Sequence, residues 1–263
     1  MAELKISDIR RILADADAQS FPAIERSLKA DTRKGVVAAL GAARRRLARE
    51  AEEAARMEDM YAFERRCLDE AQAEFAIGLD EVGRGPLAGP LTIGAVVLDL
   101  AHPIEGLNDS KQLSEARREE LAAIIKDEAI AWDIVHVEPE FIDLNGMSAS
   151  LRHAFTSAIT HIEAKGIKIG LVLLDGNPMH LDDRELNIIK GDAKCPSIAA
   201  ASIIAKVERD NLMKEEALRF PQYGFDIHKG YGTKVHRDAI REHGLCEIHR
   251  RSFCSEFNQQ SLF

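Results

Sequence analysis

Asp80 and Glu81 follow directly on an apolar run, residues 75–79, and Asp175 does the same after residues 171–174. If both runs are strands and neighbours, their acids converge at one end of a sheet. Carboxylates crowded in that way repel and raise one another's pKa. A divalent cation removes the conflict and gives the cluster a purpose. Asp192, in Lys190-Gly191-Asp192-Ala193-Lys194, lies between one more apolar segment and an alanine-rich one, so it can add a carboxylate at the same edge. An all-oxygen set suits Mg2+ or Mn2+ rather than Zn2+. Two such ions about 4 Å apart activate a water and stabilise a leaving oxygen in phosphodiester hydrolysis. Asp is also common in turns, and for any single acid spacing alone favours that plainer reading. The adjacent pair Asp80-Glu81 lowers its weight modestly.

The acids depend on the elements that carry them. Residues 75–79, 91–98, 131–137, 169–174 and 185–189 read as strands. Between the first two lies Gly83-Arg84-Gly85-Pro86-Leu87-Ala88-Gly89-Pro90, a tight connection hostile to helix. Helices are expected over 114–130, with Ser114 as N-cap, and over 148–165, stopped by Gly166. Two more fall at 196–213, whose small side chains suit close packing on a sheet, and at 235–243. Strands first, then strands alternating with helices, predict an α/β fold: a mixed sheet with helices on its faces. The first 70 or so residues differ. Segments 5–16, 21–29 and 35–74 read as helix, with no glycine between Gly41 and Gly78 and few β-branched residues. The expected division is an N-terminal helical extension, 1–72, and a domain holding the acids, 73–263. No Gly/Pro/Ser linker marks residue 72, so a continuous helix should join them.

The 263 residues are 46% hydrophobic and 30% charged, ordinary for a soluble protein with a sizeable core. No apolar run reaches the roughly 18 residues needed to span a membrane, and residues 1–30 lack the apolar stretch of a signal peptide. Cys67, Cys195, Cys246 and Cys254 form no dense framework, which places the chain in a reducing cytoplasm, and a monomer is expected. The net charge of −9 is awkward for a protein of nucleic acid. Local patches, not totals, contact phosphates, and bound cations offset the acids that hold them.

The segment from Asp80 to Pro90, Asp-Glu-Val-Gly-Arg-Gly-Pro-Leu-Ala-Gly-Pro, resembles the opening motif of the bacterial type 2 ribonucleases H, ribonuclease HII. The likeness continues through Leu107-Asn108-Asp109-Ser110-Lys111, Leu174-Asp175-Gly176-Asn177 and Lys190-Gly191-Asp192. It extends over Ser197-Ile198-Ala199-Ala200-Ala201-Ser202, His228-Lys229-Gly230-Tyr231-Gly232-Thr233 and His249-Arg250-Arg251-Ser252-Phe253, in the family's order over about residues 75–255. The resemblance implies a ribonuclease H-like five-stranded mixed sheet flanked by helices, an N-terminal helical extension like that of some members, and a C-terminal helical region that binds substrate. It implies that Asp80, Glu81, Asp175 and Asp192 bind metal and catalyse, that Gly83, Arg84 and Gly85 read a ribonucleotide through its 2′-hydroxyl, and that Tyr231 packs on the sugar of the adjoining deoxynucleotide. The implied substrates are RNA/DNA hybrids and duplex DNA holding single ribonucleotides. The cut falls 5′ of the ribonucleotide and leaves 3′-hydroxyl and 5′-phosphate ends. One ion, held by Asp80 and Asp192, would activate the water; a second, shared by Asp80 and Asp175, would stabilise the departing 3′-oxygen. The physics agrees: the 2′-hydroxyl alone separates RNA from DNA at a position, and glycine lets backbone groups approach it without a Cβ in the way.

Further residues have a bland reading beside a functional one. Lys111 reaches a backbone phosphate or is a solvated lysine, and the resemblance favours the phosphate. His228, Lys229, Lys234, His236 and Arg237 flank Tyr231 and read as a basic strip for phosphates. The spacing of His243, Cys246, His249 and Cys254 is not the order of a usual zinc finger. Arg44-Arg45-Arg46 and Arg65-Arg66 lie near Glu50, Glu52, Glu53 and Glu64, which favours a salt-bridged helix surface over a DNA contact. Competing functions are a type 3 ribonuclease H and a catalytically silent hybrid-binding protein. A partner-binding scaffold is conceivable only for residues 1–70.

Overall fold

Each apolar run flanking the acids becomes a strand of one sheet. A computed structural model describes residues 4–258. The strands are β1 (Phe75–Val82), β2 (Leu91–Val97), β3 (Ala131–Val137), β4 (Ile169–Asp175) and β5 (Glu185–Ile188), in the order β3-β2-β1-β4-β5. The β1–β2 and β2–β3 pairs are antiparallel, and β1–β4 and β4–β5 are parallel. This is the five-stranded mixed sheet of the ribonuclease H-like fold. Residues Asp80 and Glu81 do not follow β1, as the apolar run predicts, but form its last turns of pleat before Val82. Antiparallel pairing with β2 reaches Val82↔Thr92 and keeps the polar end extended.

The helices are α1 (Ile6–Asp15), α2 (Phe21–Ser27), α3 (Lys34–Ala71), α4 (Glu115–Glu128), α5 (Pro139–Asn145), α6 (Met147–Ala164), α7 (Pro196–Arg219), α8 (Phe225–His228), α9 (Lys234–His243) and α10 (Ser255–Asn258). The short helices α5, α8 and α10 have too few residues to show a period and were not legible in the sequence. Helix α7 runs past residue 213 because no breaker precedes Phe220-Pro221, and Lys214 pairs with Glu115 at 2.7 Å and Glu119 at 3.4 Å on α4. Among the described residues, no helix is long and apolar enough to cross a membrane.

The chain divides into two compact units, Met1–Glu58 and Asp59–Phe263. The first has its own core of Ile9, Leu13, Phe21, Val36 and Leu40. Its arginines take the salt-bridged reading: Arg44 pairs with Glu25, and Arg46 bonds Glu50 at 2.9 Å. In the second unit the sheet is covered on both faces. Leu151, Ala154, Phe155, Ala158, Ile159 and Ile162, spaced three and four apart, lay one stripe of α6 on Ile77, Leu79, Val172 and Leu174. The alanine-rich start of α7 covers the other face, where glycine lets the helix come close. A Cβ on Gly94 would sit 2.2 Å from the Ala201 carbonyl oxygen, and one on Gly78 would sit 2.2 Å from the Ser197 carbonyl carbon. Gly94→Ala should therefore push α7 off the sheet and cost about 3 kcal/mol. Urea unfolding checks this; a loss below about 1 kcal/mol would show that α7 yields without strain.

Candidate active site

The register of the sheet brings the acids together. Parallel pairing of Leu79 with Leu174 places Asp80 and Asp175 side by side at the carboxyl ends of β1 and β4. Strand alternation gives Ala76, Leu171 and Leu173 to the α7 side and Ile77, Leu79 and Leu174 to the α6 side. The same alternation sends Asp80 toward α7, where Ser202 bonds its carboxylate, and Glu81 toward the open groove beside α6. Asp192 arrives on the short turn Gly191–Ala193 after β5. The Gly191 N–H of that turn donates to Asp175 Oδ1 at 2.6 Å, which ties the turn to the end of β4.

Each acid has a partner of its own. Arg84 Nη1 donates to Glu81 Oε1 at 3.0 Å. Lys111 Nζ lies 3.6 Å from Asp192 Oδ2 and 3.5 Å from Asp109 Oδ1. Burial pushes Asp80 well above the usual carboxylate range, and the neighbouring Glu81 and Asp175 add to it. Asp192 is raised by burial, Asp109 and Asp175 against the pull of Lys111, and Glu81 by burial against Arg84. Among the described residues no three acid, histidine or cysteine side chains stand gathered as a ready-made cage for an ion. The donor chemistry nonetheless fits one: oxygen-only side chains, mutually repelling and short of counter-charge.

The loop after β1 is built by two arginines that sequence reasoning passed over. Arg250 and Arg209 are both 0% exposed. Arg250 donates to the carbonyls of Gly83 at 2.6 Å, Arg84 at 3.1 Å and Gly89 at 3.0 Å. Arg209 donates to Pro90 at 2.9 Å, Lys229 at 3.0 Å and Ala88 at 3.2 Å. Burial, with Arg209 close by, pulls Arg250 down to about 9. Arg209 sits in an ordinary helical stretch and carries no sequence signal; Arg250 lies in the motif His249-Arg250-Arg251-Ser252-Phe253, where residue type alone does not reveal its carbonyl partners. The two glycines also separate. Gly83 has φ +89°, and a Cβ there would fall 2.3 Å from Arg209 Nε, whereas Gly85 faces open space. Gly83 is thus a packing and backbone requirement, and Gly85 is the free approach.

Tyr231 is brought to this loop through backbone. Leu87 and Ala88 N–H groups both donate to the Gly230 carbonyl, at 2.9 and 3.3 Å. Tyr231 is 41% exposed, with the Arg209 guanidinium 5.9 Å from its ring centroid. An open groove of about 1140 Å³ runs from Glu81, Arg84 and Asp175 along Arg152, Thr156 and Ser157 of α6.

The basic strip is corrected at two positions. His228 and His236 are buried, stacked on each other at 4.5 Å, and His236 Nε2 meets His249 Nε2 at 3.1 Å. They are core residues, His228 packed on Phe225 and His236 on both Tyr223 and Phe225, not phosphate contacts. Lys234 pairs with Asp238 and Arg237 with Glu256. Among the residues of the zinc spacing, Cys246 Sγ meets His249 Nδ1 at 3.0 Å while Cys254 bonds the Leu87 carbonyl at 3.8 Å. Burial lowers His236 and His249 to about 4. The unfolded chain, near the ordinary 6.5, therefore takes up protons first as pH falls. Their contribution to stability is whole above about 6.5 and is lost toward about 4. An NMR titration should keep both rings neutral at pH 5; a ring charging near pH 6.5 would contradict the packing.

Glu64 is the other correction. Rather than lying on a salt-bridged surface, it is 1% exposed and accepts bonds from Cys195 and Ser197 at the start of α7. Burial raises its carboxyl against those bonds.

Comparison with known proteins sets this geometry among relatives. The Ribonuclease HII family model matches residues 77–256, and the Ribonuclease HII N-terminal domain model matches residues 5–68. The chain is 45% identical over 204 residues to the Ribonuclease HII of Ruminiclostridium cellulolyticum, covering 77% of this chain and 78% of that one. It is 39% identical over 248 residues to the Ribonuclease HII of Listeria monocytogenes, covering 94% and 93%. The crystal structure of the ribonuclease H2 from Pyrococcus horikoshii superposes with a TM-score of 0.60 at 27% identity, over 71% of this chain and 98% of that one.

Proposed function

Since this chain belongs to the ribonuclease HII family and is an endoribonuclease acting on RNA/DNA hybrids, we propose that it also incises duplex DNA 5′ of single embedded ribonucleotides. The observation that carries the site assignment is that the β1–β4 register, ending at Leu79↔Leu174, sets Asp80 and Asp175 next to each other, with the Asp192 turn bonded to Asp175 through the Gly191 amide. Asp80, Glu81, Asp175 and Asp192 hold the metal in this reading. Two Mg2+ or Mn2+ ions, when bound, supply an activated water and stabilise the departing 3′-oxygen.

The chain's own residues do the rest. Gly83, Arg84 and Gly85 present backbone to the 2′-hydroxyl, with closest approach at Gly85, whose Cβ position is open. Arg84 turns from Glu81 to a phosphate once the acids are charge-compensated, and Lys111 does the same from Asp192. Tyr231 covers a sugar that lacks a 2′-hydroxyl, which selects an RNA-to-DNA junction. Residues 73–263 carry catalysis, and 1–72 form an extension. The chain works in the cytoplasm as a monomer, and its four free thiols agree with a reducing compartment.

The test is a duplex with one ribonucleotide, incubated with Mg2+ or Mn2+ beside a uniform hybrid, with product ends mapped. A single nick 5′ of the ribonucleotide, leaving 3′-hydroxyl and 5′-phosphate, is expected. Cleavage of the hybrid alone would overturn the single-ribonucleotide reading and favour a type 3 activity.

A further inference from the structure

The last turns of α3 bring a carboxylate to a place that the chemistry above does not use. Glu64 Oε2 accepts three bonds: from the Cys195 thiol at 3.0 Å, the Ser197 N–H at 3.0 Å and the Ser197 hydroxyl at 2.9 Å. These residues open α7. A helix start leaves amides without partners, and the residue before it usually caps them with its own side chain. Here the N-cap is Cys195, which makes no such bond, and Pro196 has no N–H. Glu64 supplies the cap from far away in sequence.

The same few residues carry Asp192. The Lys194 and Cys195 N–H groups both donate to the Gly191 carbonyl, at 2.9 and 2.8 Å, closing the turn that holds Asp192. At its front the Gly191 N–H is bound to Asp175. Behind it, Ser197 is pressed against Gly78, two residues before Asp80. The turn is therefore pinned by Asp175 at one end and by Glu64 at the other. A shift of the α7 start would move the Asp192 carboxylate relative to Asp80 and Asp175.

We propose that Glu64 is a positioning residue for Asp192, setting through its bonds to Cys195 and Ser197 where that carboxylate meets the other acids. The inference rests on Asp192 holding metal. Groups behind a metal's ligands orient them, and losing one typically costs about 10–100-fold in metal affinity or activity.

The full-length, metal-free protein and its variants Glu64→Ala, Glu64→Gln and Asp192→Asn are titrated with Mn2+ by calorimetry, and cleavage is followed against Mn2+ and duplex concentration. Glu64→Ala should weaken Mn2+ binding about ten-fold, raise the Mn2+ needed for half-maximal rate to match, and leave KM for the duplex within about two-fold. Glu64→Gln, whose amide oxygen accepts the same three bonds, should stay within about two-fold of the parent. A folded Glu64→Ala that binds Mn2+ like the parent overturns the proposal, as does a Glu64→Gln as weak as Glu64→Ala. If Glu64→Ala does not fold, Ser197→Ala removes one donor; about three-fold weaker Mn2+ binding is expected, and unchanged binding overturns the proposal. Asp192→Asn separates the two levels. If it loses Mn2+ affinity while Glu64→Ala does not, only the positioning role fails. If it binds as the parent does, the metal reading of Asp192 fails, and the role built on it falls too.

Discussion

Asp80→Asn is expected to lose cleavage by about a thousand-fold or more while raising the melting temperature of the metal-free protein by about 5 °C. Both follow from one fact. Asp80 is buried beside Glu81 and Asp175, so its ionised form is disfavoured in the folded chain. Asparagine keeps the shape and removes the charge that a metal would need. The pH dependence has a definite sign. The folded value lies well above the ordinary 3.8, so between these two values the folded chain binds more protons than the unfolded one. Asp80 thus lowers stability as pH rises past about 3.8, and the gap between variant and parent should be small at pH 4 and wide at pH 7. Adding Mn2+ should raise the parent's melting temperature and narrow the gap again. Scanning calorimetry with and without Mn2+ measures all of this. A variant less stable than the parent at pH 7 would mean that Asp80 is already compensated without metal, and wild-type cleavage would remove it from the reaction.

Arg250→Ala should cost about 3–5 kcal/mol, because it would leave two buried carbonyls and one partly buried carbonyl without their donor. Those carbonyls belong to Gly83 and Gly89, which are buried, and to Arg84, which is partly open to solvent, so the loop proposed to meet the ribose should lose its shape as well. Cleavage should fall even below the unfolding temperature, with KM for a one-ribonucleotide duplex rising more than for a uniform hybrid. Arg250→Lys should rescue little, since one ammonium cannot span three carbonyls as a planar guanidinium does. A control at an exposed basic residue, Arg251→Ala, should change stability by no more than about 0.5 kcal/mol. Urea unfolding and steady-state rates on the two substrates provide the measurements. Normal substrate preference in a folded Arg250→Ala would show that the loop holds its conformation by other means.

All five strands were legible: the central β1, β2 and β4 from apolar runs, since a strand buried on both faces must be apolar along most of its length, and the edge strands β3 and β5 from shorter mixed stretches. The long helices were legible as well. Their ends were less so: α7 continues through a charged segment whose partners, Glu115 and Glu119, lie on another helix. Among the side chains, the alternation of β1 places Asp80 and Glu81 on different faces, which the adjacent letters alone do not convey. The basic strip misled because histidine letters carry no burial. His236 is enclosed by Tyr223, Phe225, His228 and His249, and so stays neutral in the core. Glu64 misled in the opposite direction. On a helix crowded with Glu and Arg it reads as surface, until the start of α7 turns out to need an acceptor.

The sequence by itself determined the candidate acids Asp80, Glu81, Asp175 and Asp192, the glycine-rich loop between the first strands, and the order of elements that makes the sheet. Those are local properties: residue type, apolar period and chain-breaking residues act over a few positions. Only the tertiary structure decided that β4 lies beside β1, that Gly191 binds Asp175, that Arg209 and Arg250 bind the carbonyls of the loop after β1, and that Glu64 binds the start of α7. Each of those contacts joins residues far apart in the chain. Their strength comes from burial, where an unpaired carbonyl, amide or charge is costly, and burial is a property of the packed molecule rather than of any segment.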